Sequence, residues 1–103
     1  MIYSVLGAGN GGIAMAGYLA KSGFTVNLYN RTLEKIMPLI ENPTIVLTGE
    51  EEGIGVLNKV SSNVGEVIKD ADIIMVTIPA MGHNYIAKEM APYLEDGQII
   101  VLN

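Results

Sequence analysis

Six residues near the amino end, Gly7-Ala8-Gly9-Asn10-Gly11-Gly12, are the part of this chain best suited to hold a charged ligand. Gly7, Gly9 and Gly12 satisfy the spacing G-x-G-x-x-G, between a short apolar run and a helical pattern. Each glycine has its own task. At Gly7 the chain must turn sharply out of a strand, and at Gly9 a side chain would collide with an approaching pyrophosphate. At Gly12 the absent Cβ lets the helix pack close to the sheet. The helix start then offers unpaired amides and the positive end of its dipole to a diphosphate. Asn10 and Gly11 complete the candidate turn, although the general fingerprint does not require Gly11. A merely tight turn is the plainer reading. The preceding strand, and a second strand ending about 20 residues later, favour a dinucleotide.

A second cluster, Asn30-Arg31-Thr32, follows that second strand. An acid here would grip the adenine ribose hydroxyls and repel a 2′-phosphate, and none is present. Arg31 can meet a phosphate with a planar, permanent charge, and Thr32 can add a hydroxyl and the amides of the next helix start. Such a charge-assisted contact contributes about 1.5–3 kcal/mol, tenfold or more in preference. The residues therefore favour NADP, with NAD as the alternative. Simpler roles stay open: Arg31 stacked on adenine or solvated, Thr32 a helix cap, Asn30 bonded to a plain ribose.

The third candidate is the loop from Pro79 to His83. Pro79 fixes a loop after an apolar strand, and Ala80 leaves room for the nicotinamide ribose. His83 is the chain's single histidine. It can donate a proton or touch cofactor, while a local hydrogen bond at a helix start is the alternative. It is counted as cofactor-binding, and no catalytic residue is assigned. Glu50, Glu51 and Glu52 share a turn and cannot easily converge, so they read as a solvated tip and no metal site is expected. The methionines fit core packing, and the tyrosines are too scattered for a nucleic-acid platform.

The frame for these residues alternates strand and helix. Strands are predicted at 2–6, 24–29, 72–78 and 98–102, and helices at 11–22, 33–41, 63–69 and 83–94, the last ended near Pro92. Thr32 should cap the second helix through its hydroxyl, and Pro38 should kink or shorten it. Ser62 or Asn63 should cap the third. Residues 44–48 and 54–60 read as a β-hairpin leading into a strand near 57–60. Crossover helices between strands imply an α/β fold, a doubly wound parallel sheet with a small hairpin excursion. The 103 residues suit one domain.

Composition narrows the partners. Eleven acids against six bases leave a net charge of −5, which argues against nucleic acid. Cysteine is absent, which excludes disulfides and thiolate metal sites. No apolar run approaches the ~20 residues that span a bilayer, and the first residues lack a signal-peptide pattern. A cytoplasmic protein with no membrane partner is expected.

The stretch Val5-Leu6-Gly7-Ala8-Gly9-Asn10-Gly11-Gly12, followed by Ala16, Leu19, Ala20 and Gly23, resembles the opening of the NAD(P)-dependent octopine/nopaline (opine) dehydrogenase family. Leu47-Thr48-Gly49 with Gly53-Ile54-Gly55 is similar too. So are Asp70-Ala71-Asp72-Ile73-Ile74-Met75-Val76 running into Pro79-Ala80 and His83, and Ala91-Pro92-Tyr93-Leu94 with Asp96-Gly97-Gln98 and Val101-Leu102-Asn103. The turn alone also resembles ketopantoate reductase and glycerol-3-phosphate dehydrogenase. The resemblance implies an N-terminal Rossmann domain, here residues 1–103, that holds NAD(P)H. It also implies a helical C-terminal domain with most substrate contacts and the acid/base residues. The implied reaction joins the amine of an amino acid to a 2-keto acid and reduces the imine. The chain is accordingly expected to be a fragment whose partner is that C-terminal substrate domain, inactive alone. A homodimer through the surface left uncovered, and a nucleotide-sensing regulatory module, are the alternatives from other classes.

Overall fold

The apolar run Ile2–Leu6 forms β1, the central strand of a parallel sheet. The computed structural model describes residues 1–102; Asn103, the end of the last resembling segment, lies outside the described residues. Helix α1 (Asn10–Lys21) crosses to β2 (Thr25–Tyr29), and α2 (Leu33–Glu41) leads to a hairpin of β3 (Thr44–Leu47) and β4 (Gly53–Val56). Then follow β5 (Lys59–Ser61), α3 (Val64–Ile68), β6 (Ile73–Val76), α4 (His83–Met90) and β7 (Ile99–Leu102). Among the described residues the main sheet has five strands, ordered β5-β2-β1-β6-β7, every neighbouring pair parallel. The chain winds outward from β1 through β2 to β5, then returns to β6 on the other side. The carboxyl edge of β1 and β6 is thus the switch point where open α/β sheets form a ligand crevice.

Alternation along the strands divides the core. Val5, Val26 and Leu28 face α1, α2 and the hairpin, with Ala16, Ile36 and Ile45. Leu6, Tyr29, Ile74 and Val76 face α3 and α4, with Val67, Ile68 and Ile86. The doubly wound fold is the one expected. Helix α2 covers the predicted residues 33–41, running through Pro38 to Glu41 without being shortened by it. The proline costs one amide donor, and the buried Ile36 anchors the helix regardless. Thr32 stands at the N-cap of α2, but its hydroxyl makes no capping bond; its backbone carbonyl accepts from Lys35 N. Helix α4 ends at Met90, and Ala91–Tyr93, with Pro92 inside, tighten into a 3-10 turn. Asn63 is the cap of α3, its side chain accepting from Glu66 N.

The hairpin stands apart from the main sheet as its own antiparallel pair. It lies on α1 at Gly17 and Gly55, where a Cβ on Gly55 would come within 2.4 Å of the Gly17 carbonyl oxygen. One polar cluster is buried beneath α3. Ser4 Oγ donates to the Val67 carbonyl, which also accepts from Asn27 Nδ2, and Asn58 Nδ2 donates to Asn27 Oδ1. Ser4 is fully buried, and its hydroxyl ties β1 to a helix of only five residues. Ser4→Ala should therefore cost about 1 kcal/mol. That is a fall of roughly 4–8 °C in Tm, read by thermal denaturation.

Candidate functional site

The sharp exit from β1 requires Gly7 to adopt φ +118°, a backbone region that side chains resist. Its amide donates to the Tyr29 carbonyl at 2.8 Å, which holds the turn over β2. Gly12 sits buried in the first turn of α1, where a Cβ would stand 1.9 Å from the Gly7 carbonyl oxygen. Thr77, just past β6, closes the other side. Its hydroxyl lies 3.0 Å from both the Leu6 and the Gly7 carbonyl oxygens, and its amide donates to Leu6 O at 2.9 Å. Gly9 and Gly11 differ from these two. A Cβ on either would find nothing within 4 Å, and both are exposed beside the orphan amides of α1. Close packing at Gly7 and Gly12 with open space at Gly9 and Gly11 is the cradle a diphosphate needs, so the residues present fit that group.

Asn30 joins this turn to the loop after β2. Its Oδ1 accepts from the Ala8 amide at 3.1 Å, and its Nδ2 donates to the Thr32 carbonyl at 3.0 Å. The side chain expected to meet a ribose thus also fixes the glycine turn. Arg31 is exposed, and its guanidinium carbon lies 4.4 Å from the centre of the Tyr85 ring. Tyr85 comes from the first turn of α4 and packs against the core beside Tyr29. Burial pushes the Tyr29 phenol above its ordinary value of 10.0; the Tyr85 phenol and the Glu89 carboxylate add to the rise, and Arg31 opposes it.

A cleft of about 480 Å³ runs between these groups. Gly7, Gly9, Asn30, Arg31 and Pro79 line it, as do Lys35, Thr77, Met81 and Tyr85. Asn10, Gly11, Gly12, Thr32, Ala80 and His83 are not among its lining residues. His83 sits at the start of α4 with Nε2 2.9 Å from the Ile78 carbonyl oxygen, a bond that closes the loop after β6. Sequence reading overlooked Thr77, Lys35 and Tyr85. A hydroxyl at the end of the most apolar strand was a usable signal for Thr77. Lys35 follows Arg31 by one helical turn, but nothing local marks Tyr85, which meets Arg31 only through the fold. Among the described residues no group of acids and histidine is placed to hold a metal ion, and no helix is long and apolar enough to cross a membrane.

A parallel sheet with a glycine-cradled helix start at its switch point defines a dinucleotide-binding domain of the Rossmann type. Residues 3–103 match the family described as the NAD binding domain of 6-phosphogluconate dehydrogenase, and the chain belongs to that family. It is an NAD(P)-binding domain. It is similar to an opine dehydrogenase of Arthrobacter sp. (strain 1C), 37% identical over 98% of this chain and 28% of the relative. It is also similar to a glycerol-3-phosphate dehydrogenase [NAD(P)+] of Lactobacillus delbrueckii subsp. bulgaricus, 32% identical over 94% of this chain and 28% of the relative. An octopine dehydrogenase structure with NADH and pyruvate superposes over 97% of this chain and 28% of that one, with TM-score 0.82 and 22% identity. The chain spans just over a quarter of the length of these relatives.

Proposed function

We propose that this chain is the NADP(H)-binding domain of an opine-dehydrogenase-like oxidoreductase. The enzyme would reduce the imine formed between an amino acid and a 2-keto acid. The cofactor preference rests on one observation: the cleft carries Arg31 and Lys35 beside Asn30 and no carboxylate. Two cations there favour a phosphate on the adenine ribose, and Asn30 leaves it unopposed. The likeness to opine dehydrogenase supports the reaction class. The likeness to glycerol-3-phosphate dehydrogenase supports a second reading, reduction of a phosphorylated ketone.

In this reading the bound nicotinamide supplies the hydride. The chain's own residues bind and orient. Gly7 and Gly12 shape the turn, and Gly9, Asn10 and Gly11 present amides to the diphosphate. Asn30, Arg31 and Thr32 take the adenosine end, with Lys35. Pro79, Ala80 and the His83-braced loop border the nicotinamide side. A C-terminal substrate domain supplies the acid/base groups, and the exposed apolar residues Ile99, Ile100 and Leu102 on β7 suit a covering element.

Calorimetry with NADPH and NADH tests the cofactor reading. Arg31→Ala should weaken NADPH at least about tenfold, the loss of one charge-assisted contact, and NADH little. Equal weakening of both would overturn it. NADPH oxidation by the longer enzyme, with amino acid and keto acid pairs against a phosphorylated ketone, separates the two reactions.

A further inference from the structure

We propose that Tyr85 is the positioning residue for the phosphate-selecting end of the cleft, its ring holding the Arg31 guanidinium in place before ligand arrives. The inference rests on the NADP(H) reading above and names a residue that this reading does not contain. Arg31 projects from the exposed loop after β2, and an arginine there ordinarily samples many rotamers. Here its guanidinium carbon sits 4.4 Å from the Tyr85 ring centre, within range of a cation–π contact. Tyr85 is itself held. It is half-buried, it packs against the core around Leu6 and Ile86, and its hydroxyl donates to Glu89 Oε1 at 3.4 Å. Both residues line the same cleft as Asn30 and Lys35. The platform comes from α4, beyond β6, and the cation from the loop after β2, so the contact bridges the cleft from one side of β1 to the other. An arginine fixed in this way loses less freedom when it meets a phosphate, and preorganisation of that kind strengthens binding without a new ligand contact. The benefit is confined to the ligand that engages Arg31.

The test is calorimetry with NADPH and NADH on the full chain, with Tyr85→Leu, Tyr85→Phe, Arg31→Ala and the double variant Arg31→Ala/Tyr85→Leu. Tyr85→Leu should weaken NADPH about three- to fivefold, the scale of an exposed cation–π contact, and NADH less than about twofold. Tyr85→Phe keeps the aromatic face and should stay within about twofold of wild type for both. In the Arg31→Ala background, Tyr85→Leu should change NADPH binding no further, because one residue acts through the other. Equal weakening of the two cofactors would make Tyr85 a platform for the base rather than for Arg31 and overturn the inference. Additive losses in the double variant would do the same. If Arg31→Ala leaves the NADPH/NADH ratio unchanged, the NADP(H) reading itself falls. If Arg31→Ala collapses that ratio and Tyr85→Leu does not, only the role of Tyr85 falls. Should Tyr85→Leu not fold, the wild type still decides. The Arg31 Nε–H proton must resonate upfield of a free arginine because the ring lies against the guanidinium, and an unshifted signal overturns the inference.

Discussion

Gly12→Ala is expected to destabilise the chain by about 3 kcal/mol or more and to abolish binding of both cofactors, a severe case of overpacking. The added carbon would stand 1.9 Å from the Gly7 carbonyl oxygen and 2.7 Å from Thr77 Oγ1. Neither neighbour can retreat cheaply. The carbonyl belongs to a residue at φ +118°, and the Thr77 hydroxyl is bonded to that same carbonyl and to Leu6 O. Helix α1 would have to lift away from β1, which separates its first amides from the ligand crevice. Alanine is otherwise the better helix former, by up to about 1 kcal/mol over glycine, so helix propensity alone predicts a gain. The two arguments have opposite signs, and the clash is the larger. Denaturant titration for stability and calorimetry for binding decide it. A variant as stable as wild type that still binds NADPH would mean that contact between helix and turn is not what makes this glycine necessary.

What the sequence revealed, and what it hid, follows from the range of the interactions involved. The main elements were legible because each is decided within a few residues. Ile2–Leu6 is an apolar run ended by glycine, and Gly23 ends α1 in the left-handed region, at φ +100°. The glycine spacing gave away the turn for the same reason. Helix α2 keeps its predicted nine residues across Pro38, because burial of Ile36 against the sheet outweighs the proline's local cost. Thr32 caps by position alone, its backbone carbonyl rather than its hydroxyl serving the first turn. The hairpin was visible as a β-branched run over 44–48 and a second segment from Ile54 across a turn. That it would leave the main sheet and ride on α1 depends on Gly17 meeting Gly55, a contact no local pattern announces. The candidate site divides in the same way. Its glycines and the Asn30-Arg31 pair were readable. The second task of Asn30, accepting from Ala8, and the stacking of Arg31 on Tyr85 exist only once β2 and α4 are brought to the same edge. His83 was singled out for its chemistry, and the fold gives its Nε2 the Ile78 carbonyl as partner.

Gly9→Val separates folding from binding in a way Gly12→Ala cannot. Gly9 has φ −74° and ψ −180°, extended backbone in which a β-branched residue is comfortable. A Cβ there meets nothing within 4 Å, and the bond from Ile13 N to Gly9 O at 2.9 Å needs no change to accept it. The variant should therefore fold, at a cost of about 1 kcal/mol because valine is a poorer N-cap than glycine. Binding should behave otherwise. The isopropyl group would fill the open space in front of the first amides of α1, the space a pyrophosphate has to enter, and the anion would be kept from donors it cannot reach through carbon. A loss of about 100-fold or more is expected for NADPH and NADH alike, since both carry the same diphosphate, comparable to forfeiting two or three charge-assisted hydrogen bonds. That equal loss distinguishes the turn from Arg31, whose removal should act on NADPH alone. Thermal denaturation beside calorimetry with both cofactors provides the reading. A folded Gly9→Val chain that titrates NADPH like wild type would move the diphosphate away from this turn, and the roles argued for Asn30, Arg31 and Tyr85 would lose the anchor that brings a ligand to them.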